Sequence, residues 1–233
     1  MKKGEKGKRV KGEREGSKQR GLHQPLMEAA LLSVTPLSTL SLFPFSPRSF
    51  KFSRMAYGWE GERVRLVPLD KGRHAANMQV WMNDYDMTGA ILSGDLPTTR
   101  AAEEAWFDKL CAMPETHPSD IVFAVETLAG EHVGICGIHQ INFRHGTAVT
   151  GTIIGPPDAR GKGYGADAAR LRTRYCFEAL GLRMLISEVF AENEASLRML
   201  ARAGYREAAR LPRRYWKRGS YRDVVVMVAE REP

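Results

Sequence analysis

The chain has 233 residues, enough for one large or two small domains with a proper hydrophobic core. Its formal net charge of +8 is carried entirely by residues 1–54, so the basic pI describes that segment and not the remainder of the chain. The cysteines Cys111, Cys136 and Cys176 lie far apart without a CxxC pair, and the histidines show no metal-ligand spacing; this argues against a disulfide framework or a metal site and favours a reducing cytoplasm.

Residues 1–54 form a basic, low-complexity leader that we expect to be disordered. Its Lys, Gly and Glu residues lack interleaved aromatics, which is typical of a solvated tail rather than of a nucleic-acid-binding surface. The apolar stretch 26–47 is interrupted by Glu28 and three prolines, so no membrane segment is predicted. Because the sequence changes character at Met55, we expect translation to start there and residues 1–54 to be translated upstream sequence.

The first half of residues 55–233 predicts one strand, two helices and three further strands. Residues 62–67 alternate polar and apolar positions up to Pro68, as a short strand does. Helical spacing follows at 75–84 and 99–113, the second with Thr98 or Thr99 as N-cap. Three strands, joined by short glycine-containing turns, are predicted at the end of this half: 120–127, 132–143 and 148–155.

The second half begins with the glycine-rich stretch "GPPDARGKGYGADA", residues 155–168, which opens a helix. That helix ends at Gly181; a strand at 183–190, a helix at 193–204 and a closing hairpin that turns near Gly219 follow. No repeat and no interior linker interrupts this order. The pattern predicts a single α+β domain over residues 55–233.

The glycine-rich stretch indicates a phosphate site, because glycines let backbone N–H groups converge at a helix N-terminus. A Walker A loop is a poor match, since Gly163 stands where that motif needs serine or threonine. A dinucleotide fingerprint fits Gly163, Gly165 and Ala168, with Glu188 as ribose acid, and so keeps a dinucleotide-binding oxidoreductase as a minor alternative. The double proline before the loop and the antiparallel meander argue against it. The third candidate is the pyrophosphate of coenzyme A.

At "RGKGYG", residues 160–165, the sequence resembles the [RQ]-x-x-G-x-[GA] segment of the GCN5-related N-acetyltransferase (GNAT) superfamily. The resemblance extends over roughly residues 60–230. Within the superfamily, residues 61–69, 81–84 and 193–205 look most like the branch of ribosomal-protein alanine acetyltransferases. The resemblance to the superfamily implies a single GNAT-like α+β domain. Its central sheet is mixed and mostly antiparallel, splayed at the cofactor site and covered by helices on both faces.

The resemblance also implies a function and its binding residues. The expected reaction moves an acetyl group from acetyl-CoA to a primary amine, on a small molecule or a protein N-terminus, in a cytoplasmic enzyme able to form a homodimer. Nucleic acid and membrane are not expected partners. The residues that the resemblance places on acetyl-CoA are Thr152, Ile153 and Ile154 on the splayed strand, Arg160, Gly161, Lys162, Gly163, Tyr164 and Gly165 in the loop, and Asn193 and Ser196 at the next helix.

The catalytic residues are less sharply defined. Glu188 and His139, or a water chain, are candidates for the general base. Ser196, Tyr205 or water could protonate the leaving thiolate, unless no dedicated acid is needed. Many family members carry a tyrosine seven residues after the motif asparagine, where this chain has Leu200. That departure supports an alternative, a catalytically inactive acyl-CoA-binding regulatory module. Acceptor specificity is expected from residues 84–100, with Asp86 and Asp95, and from the closing hairpin with Asp223.

Overall fold

The computed structural model describes residues 59–112 and 116–231. The predictions for the leader, residues 1–54, and for a start at Met55 lie outside the described residues. In the described part of the chain, no helix is both long and apolar enough to cross a membrane.

The strands and α-helices follow the predicted order with two additions. In chain order they are β1 (Trp59–Glu60), β2 (Val64–Pro68), α1 (Lys71–Met82), α2 (Tyr85–Gly89), α3 (Arg100–Cys111), β3 (Ile121–Thr127), β4 (His132–Asn142), β5 (Thr147–Ile154), a 3-10 turn (Pro157–Ala159), α4 (Tyr164–Glu178), β6 (Met184–Phe190), α5 (Glu194–Arg202), β7 (Arg206–Lys217) and β8 (Ser220–Glu230). The two additions, β1 and α2, are too short to produce a periodic pattern. Asp84 starts α2 by accepting a hydrogen bond from the Met87 N–H at 2.7 Å.

The eight strands form one sheet in the order β1-β2-β3-β4-β5-β6-β8-β7. Every neighbouring pair is antiparallel except β5 and β6. The crossover between these two parallel strands is α4, as a parallel connection requires. The prediction of a mixed, mostly antiparallel sheet is therefore confirmed.

Helices cover both faces of the sheet. On one face α4 and α5 pack through Ala169, Cys176 and Leu200 onto a core that includes Leu185 and Val225. On the other, α1 and α3 contribute Met78, Trp81 and Phe107, which pack against strand residues from β3 and β4. The two faces are called below the α4 face and the α1 face. Thr99 caps α3 by accepting from the Ala102 N–H at 3.1 Å, in agreement with one of the two predicted caps.

A buried polar cluster joins α1 to β2 and β3. The Glu126 side chain is 1% exposed. Its carboxylate forms ion pairs with Arg65 and Arg73 and accepts a hydrogen bond from His74 Nε2. The Asp70 N–H donates to His74 Nδ1 at 2.9 Å, so the ring carries its proton on Nε2 and donates it to Glu126 at 3.3 Å. Beside them, His132 Nε2 donates to the Gly134 carbonyl at 2.9 Å. Burial lowers the pKa of His74, and lowers that of His132 from 6.5 to about 4.

We expect this cluster to make the fold sensitive to mild acid. Between pH 6.5 and about 4 the unfolded chain binds a proton on residue 132 that the folded chain does not, so the free energy of unfolding falls as the pH falls through this window. His132→Gln should therefore flatten the decline of the melting temperature measured from pH 7 to pH 4.5. His145→Gln, at an exposed histidine, is the matched control. Equal slopes in wild type and His132→Gln would contradict the assignment.

Candidate functional site

β5 and β6 separate to form a V-shaped opening in the sheet. They pair over three positions only, from Thr147 with Met184 to Val149 with Ile186. Beyond that point β5 continues to Ile154 beside β4, and β6 continues to Phe190 beside β8. The expected splay is thus present. The irregularity in the adjoining β4–β5 ladder lies between His139 and Asn142, before the V and not within it.

The register shows which backbone groups face into the V. The Gly155 N–H donates to the Val133 carbonyl at 3.0 Å, so this pair is a hydrogen-bonded pair of the β4–β5 ladder. Because such pairs alternate, Ile153 also bonds to β4, whereas Thr152 and Ile154 direct their N–H and C=O groups into the V. The Ile153 side chain packs on the α1 face, and its N–H and C=O groups are directed toward β4 and away from the V. Of the three predicted β5 residues, Thr152 and Ile154 direct backbone groups into the V, and Ile153 directs its own toward β4.

The glycine loop lies at the wide end of the V and presents unused backbone donors. Gly161 and Gly163 have φ values of +76° and +85°, which favour glycine, and α4 begins directly after Gly163 without a side-chain cap. Within the described chain, no hydrogen bond uses the backbone N–H groups of residues 161–166. A Cβ at Gly165 would lie 3.5 Å from Ile154 and 2.8 Å from the Met199 sulfur, so the loop adjoins the end of β5. Converging N–H groups at a helix N-terminus suit an anion.

Arginine side chains surround this loop. Arg160 turns back onto the end of β5, where Nη2 donates to the Gly155 carbonyl at 2.9 Å and Nε to the Ile154 carbonyl at 3.3 Å. Lys162 is exposed. Arg63, a cation that the sequence analysis missed, lies against the loop with its Cδ and Nε 3.3 Å from a Cβ built at Gly163. Tyr164, the first residue of α4, is partly buried and packs against core residues of α4 and β2 to β4.

The other glycine of the stretch has a different role. A Cβ at Gly155 would lie 2.0 Å from the Trp81 ring, so the absence of a side chain there lets β5 end against α1. Pro157–Ala159 then form the 3-10 turn that leads out of β5 to the loop. This turn keeps the loop apart from its strand, unlike a dinucleotide fingerprint, which follows its strand directly.

Asn193 and Ser196 lie at the start of α5. The Asn193 side chain caps the helix by accepting from the Ser196 N–H at 3.0 Å, and its amide donates to the Ala90 carbonyl at 3.0 Å. Asn193 therefore performs the ordinary N-cap role and also ties α5 to the segment after α2. Ser196 is partly exposed in the first turn. Leu200, in place of the expected tyrosine, is buried in the core.

The two candidate bases lie on the same side of the sheet, the α1 face. Thr150 and Ser187 meet on the α4 face with their hydroxyl oxygens 2.7 Å apart, so residues 151 and 188 point the other way. A Cβ at Gly137 would lie 2.2 Å from His139 Nε2, whereas one at its partner Gly151 would meet nothing within 4 Å. Gly137 thus makes room for the His139 ring, and Gly151 leaves an open floor beside it.

Each candidate base is held by one neighbour. Tyr215 donates its hydroxyl proton to Glu188 Oε2 at 2.6 Å, and this hydrogen bond raises the pKa of Tyr215. His139 Nδ1 lies 2.9 Å from Asp120 Oδ1, a partner that the sequence analysis missed. Burial acts to raise the pKa of Asp120, but hydrogen bonds from Ser119 and His139 outweigh it and lower the pKa. In the described residues no group of His, Cys, Asp and Glu side chains is arranged to hold a metal ion.

The two segments expected to select the acceptor contact each other. Lys217, from the closing hairpin, is buried and pairs with Asp95 at 2.7 Å, and Arg218 lies over the Tyr85 ring with its guanidinium 3.4 Å from the centroid. Asp223 accepts the Arg213 N–H at 2.8 Å. Two of the three acids predicted to attract a cationic amine, Asp95 and Asp223, are therefore already engaged, and Asp86 is exposed.

Comparison with known proteins agrees with this geometry. The family described as acetyltransferase (GNAT) domain matches residues 63–206. The spermidine N(1)-acetyltransferase of Escherichia coli K12 is 32% identical over 98 residues, which cover 42% of this chain and 52% of that protein. The Vibrio cholerae spermidine N(1)-acetyltransferase is 27% identical over 121 residues, covering 51% of this chain and 69% of that protein. The alignment thus spans only about half of the E. coli relative.

Solved structures share the fold. The crystal structure of Vibrio cholerae spermidine N-acetyltransferase in complex with CoA and spermine superposes with a TM-score of 0.64 at 21% identity, covering 72% of this chain and 95% of that one. A GNAT-family acetyltransferase from Bacillus anthracis gives a TM-score of 0.62 at 19% identity, over 74% and 97% of the two chains. The resemblance to the ribosomal-protein branch stays a prediction. With the family match over 63–206, the splayed sheet and the glycine loop at its wide end, the chain belongs to the GNAT acetyltransferase domain family.

Proposed function

We propose that this chain is an acetyl-CoA-dependent N-acetyltransferase that acts on a primary amine. The observation that carries the proposal is the run of unused N–H groups over residues 161–166, placed at the wide end of the V between β5 and β6. Family membership supports the same reaction class.

The residues present fit this co-substrate. Gly161 leaves the backbone of the loop open on one side, the positive φ of Gly161 and Gly163 shapes the loop toward a pyrophosphate, and Arg63 and Lys162 add positive charge nearby. Thr152 and Ile154 offer backbone groups to an extended pantetheine arm along β5, in the manner of an added strand. Acetyl-CoA would supply the acetyl group as a thioester. The Thr152 N–H, which is directed into the V, would donate to the thioester carbonyl oxygen as that oxygen gains negative charge.

We assign the general base to Glu188. Its carboxylate borders the V on the α1 face, and the Tyr215 hydroxyl holds Oε2, which leaves Oε1 to take the proton of the attacking amine. His139 with Asp120 is the second candidate, beside the open floor at Gly151. The Tyr205 hydroxyl is buried on the α4 face next to Thr150, so we assign protonation of the leaving thiolate to water or to Ser196.

We propose a small-molecule primary amine as acceptor, because the curated relatives quoted above are spermidine acetyltransferases. A protein N-terminus is the second candidate. Exposed Trp216 and Tyr221 on the closing hairpin favour it, since aromatic side chains provide a surface for a peptide. The engaged acids Asp95 and Asp223 leave little unpaired negative charge for a polycation.

Calorimetric titration with acetyl-CoA tests the binding step. Binding at micromolar concentration is expected, and its absence would overturn the proposal. A thiol-release assay with spermidine, an aminoglycoside and an N-terminal alanine peptide then tests catalysis. Binding without thiol release from any of these amines would favour the acyl-CoA-binding regulatory module, to which the buried Leu200 points.

Substituting the base should slow the reaction strongly. Glu188→Gln keeps the size of the side chain but cannot accept a proton, so we expect kcat/KM for the amine to fall on the order of 100-fold at pH 7. The difference in kcat/KM between Glu188→Gln and wild type should narrow as the pH approaches the pKa of the amine, because a larger fraction of the amine is then already neutral. Steady-state rates from pH 6.5 to 9.5 measure this. Glu192→Gln, an exposed neighbour that pairs with Arg222, is the control. A larger loss in His139→Gln would transfer the role to His139.

A further inference from the structure

Arg172 on α4 is a buried arginine that none of the chemistry above uses. It is 0% exposed, and among the described residues no carboxylate forms an ion pair with it. Burying a guanidinium without an anionic partner costs folding free energy. Arg172 lies in a buried stretch of α4 together with Leu171 and Thr173, so helix packing alone does not require a charged side chain at this position. The arginine therefore calls for a specific explanation.

The contacts of Arg172 all lie beneath β5, on the α4 face. Nη1 donates to the Gly151 carbonyl at 2.7 Å and to Thr152 Oγ1 at 2.7 Å, and Nη2 donates to the Tyr205 hydroxyl at 3.3 Å. Nη1 also lies 3.6 Å from the Cys136 sulfur, and Nε has no partner in the described part of the chain. The guanidinium is thus fixed against one peptide unit, the one between Gly151 and Thr152.

That peptide unit connects the buried charge to the V. The carbonyl of this unit is that of Gly151, and it accepts a hydrogen bond from Arg172. The N–H of the unit is that of Thr152, and it is directed into the V. In a trans peptide the two groups point in opposite directions, so a donor on the carbonyl side leaves the N–H side free. A charged donor on the carbonyl polarises the whole unit and makes its N–H a stronger donor.

The position of this N–H along β5 is also specific. Pairing with β6 ends at Val149 and Ile186, and the Thr150 carbonyl is taken by Ser187 Oγ at 2.9 Å. Gly151 bonds to β4, so Thr152 carries the first β5 N–H that is directed into the V beyond the last β5–β6 pair. It lies where the strands begin to separate.

We propose that Arg172 is a positioning residue that polarises the Gly151–Thr152 peptide and so strengthens the Thr152 N–H as a donor to the carbonyl oxygen of the acyl thioester. The inference rests on the proposed acetyl transfer. Arg172 itself touches neither the thioester nor the amine, since it acts from the opposite side of β5 through one peptide unit.

A ligand-free measurement tests the polarisation. NMR of labelled protein reports the Gly151 carbonyl and Thr152 amide resonances in wild type, Arg172→Met and Thr173→Val. Thr173 bonds to Tyr205 in the same network at 3.5 Å without a hydrogen bond to β5, so it is the matched control. We expect both resonances to move upfield in Arg172→Met and to stay in place in Thr173→Val. Unmoved resonances in Arg172→Met would overturn the inference.

A second measurement follows the bound thioester. The infrared band of carbonyl-labelled acetyl-CoA should lie below its free-solution frequency in the wild-type complex and return toward that frequency in Arg172→Met. We expect kcat to fall about tenfold with KM for acetyl-CoA changed less than about threefold, since the donor remains but is weaker. An unchanged band and kcat, or equal losses in Thr173→Val, would show a purely structural arginine.

Two further results keep the inference separate from the proposed function. If the wild type does not bind acetyl-CoA, the proposed function fails, while the NMR result still decides whether Arg172 polarises the peptide. If Arg172→Met does not fold, Arg172→Lys replaces it. This variant keeps the charge with a single donor group, so its Thr152 resonance should lie between the wild-type value and that of an unpolarised peptide. A resonance identical to wild type in Arg172→Lys, with normal kcat, would contradict the need for the guanidinium at Gly151.

Discussion

Gly163→Val is expected to lower the affinity for acetyl-CoA on the order of 1000-fold. Gly163 has a φ of +85°, a conformation that a β-branched residue adopts only under strain, and a Cβ there would press on Arg63. Relief of the strain would turn the neighbouring N–H groups out of their common direction. Loss of two charge-assisted hydrogen bonds at about 2 kcal/mol each accounts for an effect of this size. Titration calorimetry measures it.

The control for this variant is Gly181→Val, at the end of α4. Gly181 also has a positive φ, +66°, and a Cβ there meets nothing within 4 Å. It should carry a comparable backbone strain and leave the affinity for acetyl-CoA unchanged. If Gly163→Val binds acetyl-CoA as wild type does, the pyrophosphate does not lie in the loop. If both variants lose affinity equally, the loss reflects general destabilisation.

The sequence predicts the order of elements well because that order follows from local patterns. Alternation marks the strand before Pro68, short glycine-containing turns mark β3 to β5, and a capping threonine marks α3. The splay of β5 from β6 could be expected only through the family resemblance, since no local pattern shows where two strands of distant sequence stop pairing. The glycine loop could be predicted because its signal is also local: glycines, which adopt positive φ, stand directly before a helical pattern.

The parts that the sequence did not reveal depend on residues that are distant along the chain. Gly155 looks like a member of the phosphate loop, yet it is glycine because the Trp81 ring approaches it from α1. Arg63 reaches the loop from the start of β2, and Asp120 reaches His139 from the start of β3. Arg172 has the type of side chain that usually faces solvent, so nothing in its local pattern predicts burial.

Glu126→Ala is expected to reduce the free energy of unfolding by about 3 to 5 kcal/mol, because it removes the buried anion that pairs with Arg65 and Arg73 and accepts from His74. Arg65 donates to Glu126 Oε2 through Nη2 at 2.8 Å and Nε at 3.1 Å, and Arg73 and His74 contact Oε1. Without the carboxylate, the buried His74 ring loses the acceptor for its Nε2 proton and Arg65 keeps an unpaired charge that is only 21% exposed. The melting temperature should fall by about 6 °C or more, as scaled for a domain of this size.

Glu104→Gln supplies the comparison, because Glu104 is also held by two cations, Lys71 and Arg100, but on the surface of α3. Solvent screens these two ion pairs, so the melting temperature of Glu104→Gln should match that of the wild type. The paired arginines and His74 lower the pKa of Glu126 although burial acts to raise it. Its carboxylate therefore contributes stability above the unfolded pKa of about 4.3, and this contribution is lost as the pH falls through the lower folded value. The difference between wild type and Glu126→Ala should accordingly shrink in acid. A difference that is constant down to the acid unfolding limit would mean that packing, not charge, accounts for the loss.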